Sequence, residues 1–513
     1  MKNFRMRIGT LAMCLLTLAL SNSLSSCDKN DDSIPTPVTP IVKPDIVFYG
    51  ITSTNQLIRF NANNSELPQT SIGVTGLQTG ETLTGIDFRP ATGELYGIGS
   101  TSRLYVISTV TGIARQIGSA LSPALTGTAT GFDFNPTVDR IRVVSNTGEN
   151  LRLHPETGAL AATDGTINGV TGASITSVAY SGNTAGSAAT TLFDIDITTK
   201  KLYKQNPPNA GTLVEVGDLG VVPTGESGFD ISPDGSVALA VLRVAGEVGL
   251  YRIDTLSGKA TKLGTFGATG VALTGIAIPT TPVAYAVDDM NNLLIFNPNT
   301  AAAPISKTIT GLQVGENILG IDMRPATGQL YALGSTSRLY TVNLASGALT
   351  SVGTAGSFTL SGTAFGFDFN PLVDRIRVVS NNGQNLRLNP DNGTLAATDG
   401  TLNPGTPDIS AAAYTNNFAG TISTVLHVID VTTDKLYVQN PPNAGTLSEL
   451  GALGVNVEAT NGFDIASVSG KAYAILTVGT ANAVYSINLG SGVATKLNDF
   501  PKTTRGFALG LGQ

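Results

Sequence analysis

Ten times along the chain a short apolar strand motif returns, at steps of 44 to 51 residues. It reads GIDF from Gly85, GFDF from Gly131, SVAY from Ser177, GFDI from Gly228 and GIAI from Gly275, then GIDM from Gly320, GFDF from Gly366, AAY from Ala412, GFDI from Gly462 and GFAL from Gly506. A unit of this length built from strands is a four-stranded propeller blade. Helical repeats of similar length are excluded, because the segments alternate with period two and break at glycine turns. One unit shows the wiring: Leu83 to Phe88, a turn at 90–93, Glu94 to Ile98, Arg103 to Ile107, the turn Thr111-Gly112, and Ala114 to Gly118. The last turn returns as Ser257-Gly258, Ser346-Gly347 and Ser491-Gly492, where glycine supplies the positive φ of a tight hairpin.

A longer period overlies the blade step. GIDFRPATGELYGIGSTSRLY from Gly85 returns 235 positions later as GIDMRPATGQLYALGSTSRLY from Gly320. GFDFNPTVDRIRVVSN from Gly131 returns as GFDFNPLVDRIRVVSN from Gly366, and LAATDGT and QNPPNAGTL each occur twice. Each long copy begins with three strands that lack a first (from Ile46 and from Val283) and ends with a lone first-type strand (Val271 to Ile278 and Arg505 to Leu511). A last strand that completes the first blade closes a ring and leaves no open edge. The expected fold is therefore all-β: two tandem five-bladed β-propellers, over 45–279 and 280–513. The alternative is one continuous ten-bladed ring, since the step across the junction, Gly275 to Gly320, is an ordinary blade step.

The first 26 residues read as a signal peptide, with Lys2, Arg5 and Arg7 ahead of an apolar run from Ile8 to Leu20. Leu24-Ser25-Ser26-Cys27 resembles the lipobox of bacterial lipoproteins, which implies lipidation of Cys27. The acidic run Asp28 to Asp32 resembles signals that send some such proteins to the outer face of the outer membrane. The proline-rich stretch to Pro44 completes a tether over 27–44. Cys14 and Cys27 are the only cysteines, so the mature chain has no disulfide and relies on a large core. The expected location is the cell envelope as an outer-membrane lipoprotein exposed at the surface, with the lipid as the sole membrane contact. With 30 basic against 37 acidic residues and no Lys/Arg run, nucleic acid is excluded as a partner. A monomer is expected, with an unknown protein or small ligand as partner.

The run GFDFNPxVDRIRVVSNxGxNLRL, at Gly131 to Leu153 and Gly366 to Leu388, resembles a bacterial family of secreted and lipid-anchored proteins catalogued as a domain of unknown function and grouped with β-propellers. The likeness covers both copies, Ile46 to Leu511. It implies fold and export, and carries no activity or ligand.

Little in the chain suggests an enzyme. The two histidines, His154 and His427, face Asn389 and Phe193 in the other copy, so neither is required by both rings, and Ser-His-Asp, Cys-His and zinc chemistry lack parts. No tryptophan is present for sugar stacking. The repeated aspartates are more suggestive. Asp87, Asp133 and Asp230, and Asp322, Asp368 and Asp464, occupy one place in the first strand, which lines a propeller's channel. Such carboxylates could hold Ca²⁺ or a cationic group, although no cofactor is required; the competing reading is that each bonds backbone or an arginine of its own or the next blade. Arg140, Arg142, Asn150 and Arg152 return as Arg375, Arg377, Asn385 and Arg387. They could clamp an anion, or serve to neutralise Asp133, Asp139, Asp368 and Asp374. The loop from Gln205 to Gly211 is either a rim contact or a stiffened turn. The expected function is a surface-tethered binding or scaffold module; the alternative is a hydrolase- or lyase-type propeller using the Asp/Arg set, with Ca²⁺.

Overall fold

The computed structural model describes residues 41–225, 227–267, 271–300 and 302–513. The signal peptide, Cys27 and the tether up to residue 40 lie outside the described residues. Among the described residues there are ten four-stranded antiparallel sheets, and the only helical pieces are three single 3-10 turns, at 62–64, 208–210 and 442–444.

Eight sheets are built from four consecutive strands; the other two settle how the rings close. Leu273–Ala277 pairs with Val47–Thr52, setting Tyr49 opposite Ala277 and Gly50 opposite Ile276. Thr504–Leu509 pairs with Ala284–Asp288, setting Tyr285 opposite Ala508. Each copy thus supplies its own clasp, and the molecule is two five-bladed propellers. The ten-bladed ring is not formed, because the strand following Pro282 pairs with Thr504–Leu509 and leaves Leu273–Ala277 to its own ring.

Five inner strands converge on each axis, and the repeated glycine is what lets them. A Cβ at Gly131 would stand 2.7 Å from Val178 Cγ1, and one at Gly366 would stand 2.7 Å from Ala412 Cβ. Any larger residue would push the neighbouring blade outward, since packed interiors have no slack to absorb it. Away from the axis the gaps between blades fill with apolar side chains. Between the first ring's 83–117 and 130–163 blades lie Tyr96, Phe132, Phe134, Ile141 and Leu153, with the Tyr96 and Phe134 rings edge to face at 5.1 Å. This layer gives each ring a core without disulfides.

The two rings meet through the first ring's turn at 89–93. Ala91 joins a cluster with Val283, Tyr285 and Leu511, and its carbonyl accepts the Tyr285 hydroxyl at 2.8 Å. Arg89, fully buried, donates from Nη1 to the carbonyl of Gly328 at 3.2 Å.

Candidate functional site

The repeated aspartates lie on inner strands, two residues after the axial glycine, and lean the same way as that glycine, toward the next blade. Asp87 accepts Phe88 N–H at 2.7 Å and, across the gap, Phe134 N–H at 2.8 Å. Asp133 Oδ1 accepts Tyr180 N–H at 3.0 Å, and Asp230 accepts Ile231 N–H at 2.6 Å and Ile278 N–H. The second ring repeats the pattern: Asp322 to Phe369 at 2.7 Å, Asp368 to Tyr414 at 3.0 Å, Asp464 to Leu509 at 2.6 Å. Each carboxylate is a staple from one blade to the backbone of the next, which is the reading of these residues as backbone partners. The inner strands carry Ala179 and Ala277 at the equivalent places of the other two blades, so three of five joints are stapled this way.

The staples also bring carboxylates together. Asp87, Asp133 and Asp230 offer oxygens that lie within 4.8 Å of one another, as do Asp322, Asp368 and Asp464, and all six side chains are buried. Burial, then the charge of Asp230, raises the Asp87 pKa well above the carboxylate range against the opposing N–H bonds of Phe134 and Phe88. Burial followed by the charges of Asp87 and Asp230 does the same to Asp133. Burial pushes Asp230 and Asp464 up to about 7, and raises Asp322 and Asp368 together with their acidic neighbours. Three oxygens at this spacing can share protons or hold a hard cation. Asp133 Oδ2 is buried with no hydrogen-bond partner.

The arginines form a different assembly, between the blade at 130–163 and the next. Arg142 is buried; its guanidinium donates to Asn150 Oδ1 at 2.6 Å, Asp164 Oδ2 at 2.6 Å, Asn209 Oδ1 at 2.7 Å and the Tyr180 hydroxyl at 3.2 Å. Half-exposed Arg152 adds two bonds to Asp164, both at 2.8 Å. Asn150 Nδ2 donates to the carbonyls of Gly165 at 2.9 Å and Pro208 at 3.0 Å. Arg377, Asn385, Arg387, Asp399 and Asn443 repeat this arrangement in the second ring. Burial works to raise the Asp164 pKa, but the bonds and charges of Arg152 and Arg142 outweigh it and hold the carboxyl below its ordinary value.

This corrects the expected pairing. Asp133 and Arg142 are opposite residues of one hairpin, yet the guanidinium runs outward to Asp164. Asp139 and Asp374 are not neutralised by the hairpin arginines either: they are held by Arg89 and Arg324, 50 residues earlier, through Nε at 2.9 Å in both rings. Arg140 and Arg375 instead donate to the backbone carbonyls of Asp139 and Asp374, at 2.7 and 2.8 Å, and Arg140 also to that of Val138 at 3.5 Å. The loop from Gln205 to Gly211 acts as a latch: Asn209 receives Arg142 through its side chain and Gly165 N–H through its carbonyl at 2.9 Å. A Cβ on Gly211 would stand 2.4 Å from the carbonyl oxygens of Gly165 and Thr166, so the latch closes only over glycine.

Asp164 and Asp399 were legible as part of the twice-occurring LAATDGT, and Asn209 and Asn443 as part of QNPPNAGTL, but no spacing marks them as partners of an arginine. Glu81 and Glu316 also went unmarked. Each is buried and accepts a tyrosine hydroxyl, from Tyr105 at 2.5 Å and from Tyr340 at 2.7 Å. Burial and the bond to the glutamate push both tyrosines up to about 12. Asp194 is buried with neither oxygen partnered, and burial pushes it up to about 8 against the charge of Arg142. Its place in the second ring is taken by Val428. His427 is buried with Nδ1 unpartnered and pushed down to about 4 by burial; half-buried His154 is lowered by burial and the charge of Arg140.

No curated protein matches the chain in sequence. A solved structure named "Structure of Dos1 propeller" resembles it at 14% identity and a TM-score of 0.27, over 66% of this chain and 92% of that one. A family described as "Domain of unknown function (DUF4394)" matches at residues 56–277 and again at 284–508, one match per ring. With the matches spanning most of both propellers, the chain belongs to this family and carries its domain twice.

Proposed function

We propose that the protein is an exported, lipid-anchored pair of propellers that serves as a binding or scaffold module at the cell surface. One observation carries the non-enzymatic part of this reading: the repeated Asp and Arg groups are committed inside their own rings. Five of the six axial carboxylate oxygens of the first ring accept a backbone N–H, and Arg142 has four partners from two blades. With four of its five N–H donors engaged by the protein itself, the buried guanidinium cannot form the two-donor pair by which arginine clamps an anion. What the rings offer to a macromolecular partner is their rims.

The anchor rests on the residues Leu24 to Cys27 and the acidic run after them. Cys27→Ser tests it. The variant is expected to leave the membrane fraction and lose acyl label, while wild-type chain on intact cells is trimmed by added protease. A Cys27→Ser chain that stays with membranes in detergent-free fractionation, or a wild-type chain fully shielded from protease, contradicts the reading.

A further inference from the structure

Each blade of the first ring presents a hydroxyl one residue ahead of the glycine layer: Thr84, Thr130, Thr176, Ser227 and Thr274. The second ring has Leu319, Phe365, Ser410 and Arg505 at the matching places of four of its blades. The difference reaches the axis itself. The first ring's central space, a narrow gap of about 10 Å³, is walled by Thr84, Thr130, Ser177, Ser227 and Thr274 around the glycines. That of the second ring, also about 10 Å³, has Phe365, Ala411 and Ala412 among its glycines and, among the described residues, no hydroxyl in its wall. The hydroxyls touch one another across blades, Ser227 Oγ lying 2.5 Å from Thr176 Oγ1 and 3.0 Å from Ser177 Oγ.

Past the glycines stand the three carboxylates. Oxygens within 4.8 Å of one another match the span across a cation bound at about 2.3–2.6 Å, the distance range of Ca²⁺ to oxygen. Backbone N–H groups fix the carboxylates in place, so the site is organised before any ion arrives. Asp133 Oδ2 supplies an independent sign. It is a buried carboxylate oxygen without a donor, and buried polar atoms are satisfied by a hydrogen bond, water or an ion.

We propose that the axis of the first ring binds a hard divalent cation of the Ca²⁺ class through Asp87, Asp133 and Asp230, reached past the hydroxyl layer, and that the second ring, with Leu319 and Phe365 in place of those hydroxyls, takes none. The hydroxyls replace part of the ion's hydration shell as it enters, and any carboxyl protons leave to solvent as it binds. Two copies of one fold thereby carry one cation.

The full chain, stripped with EDTA and titrated with CaCl₂, is expected to take up about one Ca²⁺ and to melt at a higher temperature. Asp133→Asn loses both effects and Asp368→Asn keeps both. Thr130→Phe, which copies Phe365 into the first ring's mouth, is read in parallel, so that a folding failure of Asp133→Asn leaves the idea exposed to test; it too is expected to lose uptake. No uptake by the wild-type chain at millimolar Ca²⁺ overturns the proposal. So does loss of uptake in Asp368→Asn, two ions per chain, or uptake that survives Thr130→Phe.

Discussion

Asp133 Oδ1 accepts the backbone N–H of Tyr180, 47 residues later and one blade further round the ring, at 3.0 Å. This bond joins inner strands that are not hydrogen-bonded to each other as a sheet, and the same joint is made by Asp368 and Tyr414 in the second ring. Removing the acceptor leaves a buried N–H alone. Asp133→Ala and Asp368→Ala should each cost about 1–3 kcal/mol. Asn keeps an acceptor and removes a crowded carboxyl, so Asp133→Asn measured in EDTA should melt within about 1 kcal/mol of wild type. Urea titrations check both, and an alanine variant no less stable than its asparagine counterpart would refute the staple.

Asp194 gives a pH dependence with a built-in control. Its folded pKa, about 8, lies above the ordinary carboxylate value, so the folded state holds a proton that the unfolded state releases above pH 4. The proton favours folding in full below pH 4, and the benefit is lost as pH rises through 8. Asp194→Val copies the second ring's Val428 and should stabilise the chain at pH 8 by on the order of 2–4 kcal/mol, with the gain shrinking toward pH 5. Thermal melts of the two proteins across pH 5–9 decide it; a gain independent of pH contradicts the assignment.

The clasp strands predict that each ring is self-sufficient. A fragment over 45–279 and one over 281–513 should each unfold in one cooperative transition, since neither leaves an inner strand unpaired. Both should melt below the intact chain, because Tyr285 loses Ala91 and Arg89 loses Gly328. Calorimetry on the fragments checks this, and aggregation of either half would show that the rings are not independent.

The architecture was legible because it is written in periods. The blade step, the glycine at each axial place and the split first blade in each copy give the two rings from Gly85, Gly131 and the clasp residues alone. The ten-bladed alternative stayed open for a physical reason: the step across Gly275 to Gly320 equals a blade step, and which strand pairs with which is a long-range choice that spacing does not encode. The polar sites were harder. A hairpin puts Asp133 opposite Arg142 in register, but an arginine side chain is long enough to pass its neighbour and reach Asp164, 22 residues on and just past the end of the outer strand. Arg89 finds Asp139 across a blade gap that no local pattern marks. Asp194 did carry a signal, an acid in one copy of a buried strand where the other has Val428; Glu81 carried one in its return as Glu316.

The central claim is that the repeated acid and arginine groups hold the rings together, and Arg142 tests it most directly. Arg142→Ala leaves Asp164 and Asn150 facing a void, and Arg377→Ala does the same to Asp399 and Asn385. The account predicts that each variant loses about 3–5 kcal/mol in equilibrium unfolding, by similar amounts in the two rings. Variants that both unfold at or above the wild-type midpoint would contradict it and mark these arginines as a ligand site.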